Sequence, residues 1–228
     1  MKLLALAIAP GFALLMYIYI KDKYEREPLR QVLKAFALGA ASAIVILVFW
    51  LILKQANIEF TGANNNIMQA FKEAFYGAAI PEETIKFLTF LLFFYKIRDF
   101  NEWFDGIVYA VAISLGFATL ENIMYVLSQG FSVGITRAIF AVPSHFIDGV
   151  TQGFFFSLAK FGTKGRKYAN IALALISAII IHGIYDFLLF IDRKWLLIIF
   201  IGYFLLIVFL SRKLISQHLK NSQFKDDI

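Results

Sequence analysis

The chain contains no cysteine in its 228 residues. Disulfides, thiolate metal ligands and a cysteine nucleophile are thereby excluded together. Charged residues make up only 17% of it, and histidine occurs three times. No HExxH is present, which excludes a site-2-type zinc protease. The GxSG serine and GxGD aspartyl motifs of intramembrane proteases are missing too. No Pro/Gly/Ser-rich linker, low-complexity tract or internal repeat interrupts the sequence, so 1–228 reads as a single domain.

What is present is apolar. Hydrophobic residues make up 60% of the chain, 26 of them Phe, and the mean hydropathy is +0.72. A soluble domain of this length has too little interior to hide that surface. Runs such as FALGAASAIVILVFWLIL and IALALISAIIIHGIYDFLLFI are long enough to cross ~30 Å of hydrocarbon as helices. They lack the short alternating segments of a membrane β-barrel. The expected fold is therefore all-α, a polytopic membrane helix bundle. Seven spans are predicted, at roughly 3–20, 31–53, 70–95, 104–128, 134–159, 169–191 and 195–211.

The basic residues orient the spans. The first segment has Lys2 alone in front and KDKYER behind it, the reverse of a cleavable signal, and reads as a retained span with its N-terminus outside. Alternation from there puts 15 of the 22 Lys and Arg on the inside and six outside, with Lys86 inside a span. That bias fits seven spans with the C-terminus in the cytoplasm. It also accounts for the net charge of +6 with no nucleic-acid partner; the lipid bilayer is the expected surround.

Ionisable residues within spans are costly and mark functional sites by default. Here they are Glu82, Glu83 and Lys86 in the third span, Glu121 with Asn122 in the fourth, His145 and Asp148 in the fifth, and His182 and Asp186 in the sixth. Counted from the outer end of each span, Glu83, Glu121, His145 and His182 all lie roughly 10–17 Å deep. A shared depth points to one buried polar site on the outer side. Glu82 and Lys86, Phe117 and Glu121, and His182 and Asp186 are each four apart and share a helix face. Pro81 and Pro143 stand just before the acids and His145, where each removes a backbone hydrogen bond and can open the helix to water. Two imidazoles with several carboxylates suit a divalent metal, Zn²⁺ in the first instance, with a glutamate as general base.

Plainer readings exist for each group. The Glu82–Glu83–Lys86 set could be an ion pair between helices, Glu121–Asn122 an interhelical hydrogen bond, and either histidine a packing residue. Asp148 reads as a supporting residue or none. Arg137 and Lys160 read as interfacial anchors that snorkel, and the Phe residues as lipid or helix contacts. A transporter or receptor with a buried charge cluster is the non-enzymatic alternative. It is disfavoured by polar residues confined to one depth and by the lack of duplicated halves.

The segments APGFALLMYIYIKDKYEREP, PEETIK, DGIVYAVAISLGFATLENIMY, SHFIDG and HGIYDF closely resemble the PrsW family of bacterial membrane proteases. The likeness runs from about Ile8 into the last span, with four motifs in the family's order. It implies a glutamate- and histidine-dependent protease of metallo type, related to CAAX prenyl proteases and bacteriocin self-immunity proteins. The EExxK motif falls on Glu82, Glu83 and Lys86, FxxxE on Phe117 and Glu121, the isolated histidine on His145, and HxxxD on His182 and Asp186. Glu121, His145 and His182 are then the expected metal ligands. One of Glu82 and Glu83 is the expected base, Glu82 in preference, with the other placed by Lys86, and Asn122 and Asp186 are in support. The implied partner is a single-span anti-sigma factor in the bacterial cytoplasmic membrane, cut first on its extracytoplasmic side during envelope stress. A CAAX-type or immunity-type protease acting on another substrate is the alternative within the same chemistry.

Overall fold

In a computed structural model, residues 2–58, 60, 66–191 and 193–225 are described. They form seven helical rods at the positions of the seven predicted spans. We number them α1 (Lys2–Lys21), α2 (Leu29–Gln55), α3 (67–93), α4 (Asp105–Gln129), α5 (131–161), α6 (Lys167–Phe190) and α7 (Leu196–Lys220). No strand occurs among the described residues. Five helices are long and apolar enough to cross a membrane: α1, α2, α4, α7 and the segment Lys164–Phe190 that contains α6.

The other two rods, α3 and α5, are composite, and the prolines explain why. Each begins as a short α-helix, Ile67–Lys72 or Phe131–Thr136. It then widens into a π-helical stretch, Glu73–Ala79 or Arg137–Ala141. It resumes as α-helix at Ile80–Phe93 or Val142–Phe161, with proline in the first turn. Proline cannot donate to the residue four before it, and its ring collides with that carbonyl. In the wider turn the Ile80 amide reaches back to the Phe75 carbonyl, and the Val142 amide to that of Arg137. The prolines thus do not break the helices into halves; each is absorbed by a π-turn on its N-terminal side.

Helix α4 is the spine. Every residue from Asp105 to Thr119 is buried, as expected of a helix apolar on all sides. Lipid is as apolar as leucine, so burial alone does not hold such a helix; close packing must. Glycines provide it. A Cβ on Gly39 of α2 would lie 1.9 Å from the Ile113 carbonyl oxygen, and one on Gly116 would lie 1.9 Å from that of Phe36. On the α5 side a Cβ on Gly153 would lie 2.3 Å from the Gly106 carbonyl oxygen. The outward faces of α2 and α7 carry exposed Leu51, Ile52, Leu197 and Ile198, a surface suited to acyl chains. Further along the axis Phe90 stacks on Phe156, with ring centroids 4.1 Å apart.

At the end away from the predicted site, the α1–α2 connection is anchored by two buried carboxyls, Asp22 and Glu27. Burial raises the Asp22 carboxyl to about 7 and the Glu27 carboxyl to about 11. Helix α7 runs nine residues past the predicted limit of its span, to Lys220. His218, seven residues beyond the predicted limit of that span, is fully buried, with Nε2 3.0 Å from the Phe154 carbonyl oxygen.

Gly116→Ala tests this packing. Alanine is the better helix former by roughly 0.5–1 kcal/mol, so a loss of stability isolates the α2–α4 contact. Thermal unfolding in detergent is expected to show a destabilisation of about 1–3 kcal/mol; an unchanged midpoint would mean that the helices do not approach this closely.

Candidate active site

The ionisable residues converge on one cavity of about 630 Å³, lined among others by Glu82, Glu121, His145, His182 and Asp186. Its lining also includes Lys54 at the end of α2, Glu73 near the start of α3, Tyr125 of α4, Arg137 of α5 and Leu189 of α6. Alternating chain direction brings these helix ends to the same side.

Glu83 anchors the inner wall. It is fully buried and is held by three helices, its own included. Lys86 Nζ donates to its Oε1 at 2.7 Å, His182 Nδ1 lies 2.8 Å from the same oxygen, and Gln152 Nε2 donates to Oε2 at 2.9 Å. Lys86 also reaches His145 Nδ1 at 3.0 Å and covers the Phe117 ring at 4.3 Å. Glu82 is placed differently. It lines the cavity, stands 3.8 Å from Lys86, and leaves Oε2 without a hydrogen-bond partner. Adjacent residues on a helix point ~100° apart. One glutamate is therefore locked into the wall while the other faces the space.

The opposite wall comes from α4 and α5. Glu121 Oε2 is 3.0 Å from His145 Nε2 and accepts from Arg137 Nη2 at 2.7 Å. Arg137 Nε donates to Asn122 Oδ1 at 3.0 Å, and Asn122 Nδ2 donates to the Ala7 carbonyl at 2.8 Å, tying α1 to the site. The two imidazoles meet edge to face, with centroids 5.3 Å apart. Asp186 lies 3.2 Å from His182 Nε2.

Two residues of the site, Arg137 and Gln152, were not read from the sequence as parts of it, and Asp148 was read as a supporting residue or none. Arg137 was expected to snorkel to the interface; instead it turns inward, because the Glu121 carboxylate offers a buried cation more than the interface does. Asp148 lies 3.8 Å from His182 Nδ1 and 4.0 Å from His145 Nδ1, and neither of its oxygens has a hydrogen-bond partner. Gln152 completes the Glu83 cage. The signal for the last two was available: 145, 148 and 152 follow the i, i+3, i+7 spacing of one helix face.

The donor set fits a divalent cation. Among the described residues, Glu82, Glu83, Glu121, Asp148 and Asp186 face only two permanent cations, Lys86 and Arg137, at ion-pair distance. Buried carboxylates at such a deficit require protons or a metal. Ligand atoms of Glu83, His145, Asp148 and His182 lie within 4.8 Å of one another, as do those of Glu82, Glu121 and His145. The sequence-predicted set Glu121, His145 and His182 lines the same cavity, with His145 common to both groups.

A water-accessible pocket of carboxylates and imidazoles within apolar helices suits hydrolysis inside a membrane, and an intramembrane metalloprotease is the class it defines. Comparison with known proteins gives the family. The sequence model described as PrsW family intramembrane metalloprotease matches residues 27–211, and the chain belongs to that family. It is 42% identical to Protease PrsW of Geobacillus kaustophilus over 194 residues, which cover 85% of this chain and 82% of that protein. It is 34% identical to Protease PrsW of Bacillus subtilis over 194 residues, 85% of each chain. Against Protease PrsW of Clostridioides difficile it is 32% identical over 228 residues, covering 98% of this chain and 94% of that one. No solved structure matches the chain. The protein is a multi-pass membrane protease, and the transporter or receptor reading is set aside.

Arg137→Gln removes the permanent cation that pairs with Glu121 at 2.7 Å. A loss of about 1–3 kcal/mol is expected, read as a lower unfolding midpoint, with part of it recovered by Arg137→Lys. Equal midpoints for all three proteins would show that the pair is not maintained in the folded state.

Proposed function

We propose that this protease makes the first cut in a single-span anti-sigma factor, on the extracytoplasmic side of the bacterial cytoplasmic membrane, during envelope stress. The observation that carries this reading is the end of the bundle at which the cavity lies. Its lining reaches Lys54, Glu73, Tyr125, Arg137 and Leu189, near the ends of α2, α3, α4, α5 and α6 that face outward when the basic residues are kept inside. The same orientation gives seven spans with the N-terminus out.

Glu121, His145 and His182 would hold a divalent cation, Zn²⁺, with Asp148 between the rings as a further carboxylate donor. When bound, such an ion lowers the pKa of water and polarises the scissile carbonyl. The chain's own residues do the rest. Glu82, which lines the cavity and whose Oε2 makes no hydrogen bond, takes the proton from the attacking water. The water oxygen bonds to the carbonyl carbon, the C–N bond breaks, and Glu82 passes the proton to the leaving amine. Lys86 fixes Glu83, and Glu83 fixes His182 and, through Gln152, α5. Arg137 holds Glu121 in place.

Glu82→Gln keeps the shape of the side chain but cannot take the proton. Cleavage of a co-expressed single-span anti-sigma factor should fall by about 10²–10⁴-fold, with unchanged folding and membrane insertion. Normal cleavage by this variant removes Glu82 from its role. Impermeant labelling at residue 2 and in the C-terminal tail tests the topology separately, with residue 2 alone expected to react from outside.

A further inference from the structure

A second group of carboxylates lies at the other end of the bundle. Glu25 and Glu27 come from the α1–α2 connection, and Asp105 begins α4. One oxygen from each lies within 4.8 Å of the others. Asp105 is sixteen residues from Glu121 on the same helix, about 24 Å along its axis, so this group is separate from the catalytic cavity.

The group has the construction of a binding site. Asp105 and Glu27 are at most 1% exposed, and each is oriented through one oxygen only. The backbone amides of Asn101 and Glu102 donate to Asp105 Oδ2 at 2.7 Å each, and the Tyr109 hydroxyl donates to Glu27 Oε2. The other oxygens, Asp105 Oδ1 and Glu27 Oε1, receive no hydrogen bond, and neither does Glu25 Oε2. Buried Asp22 and Glu102 add two further carboxylates to this end of the bundle, each also with one unpartnered oxygen. Among the described residues no Lys or Arg lies at ion-pair distance from any of the five. The nearby Lys160 is engaged instead by the Tyr95 carbonyl at 3.3 Å and lies 4.1 Å over the Phe100 ring.

Buried acceptors with nothing to accept are costly, and side chains fixed by one oxygen with the other free are typical of supported metal ligands. We propose that Glu25, Glu27 and Asp105 bind a hard divalent cation of the Mg²⁺ or Ca²⁺ class, separate from the catalytic metal. All three donors are carboxylate oxygens, with neither imidazole nor thiolate, which favours these ions over Zn²⁺. Glu25 is half-buried and gives the ion a route from solvent. The bound ion joins the α1–α2 connection to the start of the spine helix.

The test uses the full-length chain in detergent, with Mn²⁺ as the paramagnetic probe and Mg²⁺ and Ca²⁺ as competitors. The His145→Ala/His182→Ala protein, which lacks the imidazoles of the catalytic site, is expected to retain one Mn²⁺ displaced by Mg²⁺ or Ca²⁺. Its unfolding midpoint is expected to rise when either ion is added. Glu27→Gln/Asp105→Asn in the same background should lose both responses. Should that pair fail to fold, Glu25→Gln should weaken binding by at least the ~10-fold that loss of a supporting partner costs. Absence of Mn²⁺ from the His145→Ala/His182→Ala protein, or undiminished binding after the carboxylate changes, overturns the proposal. So does a wild-type midpoint indifferent to both ions together with a more stable Glu27→Gln/Asp105→Asn protein, which would indicate carboxyls that share protons instead.

Discussion

The Glu83 carboxylate, buried without solvent contact, is the constraint around which this protease is arranged. Such a group survives in an apolar interior only when each oxygen is satisfied by well-placed donors. Those donors come from Lys86 one turn along α3, Gln152 of α5 and His182 of α6. Meeting the electrostatic demand of one side chain therefore fixes the mutual position of three helices. The same fixation leaves Glu82 turned towards the cavity with an unpartnered oxygen.

Spine and site depend on each other through α4. Glycine contacts bring α2 and α5 onto its backbone, and one turn beyond Phe117 the same helix presents Glu121. The Ser114 hydroxyl donates to the His145 carbonyl at 2.6 Å, so α5 is also held by a hydrogen bond close to the functional ring. In a bilayer there is little hydrophobic drive between helices. Short backbone approaches and polar contacts of this kind must supply both the stability and the geometry.

The π-helical stretches link local chemistry to the opening of the cavity. Each lies just before a proline, and each supplies cavity-lining residues: Glu73, Gly77 and Ala78 from the first, Arg137 and Ala141 from the second. A π-turn shifts the register of the side chains that follow relative to an unbroken α-helix. The proline positions were legible as helix disturbances, but a disturbance can be a break, a kink or a wider turn. Which of these occurs depends on whether neighbouring helices hold the chain straight.

By itself the sequence determined the all-helical class, the places of the seven rods and the convergence of Glu83, Glu121, His145 and His182 on one buried polar cluster. Each follows from local composition: apolar length, the cost of charge in hydrocarbon, and ~1.5 Å of rise per residue. It also identified the family, through motifs whose residues line or back the cavity. The tertiary structure alone decided which partner each charge takes. Arg137 could go to the interface or to Glu121, Asp148 could face lipid or the two histidines, and either glutamate after Pro81 could face the cavity. Spacing along a helix gives the face a residue occupies, but not what stands opposite. That depends on the rotation of each helix against its neighbours, set here in part by the glycine contacts of α2 and α5 with α4.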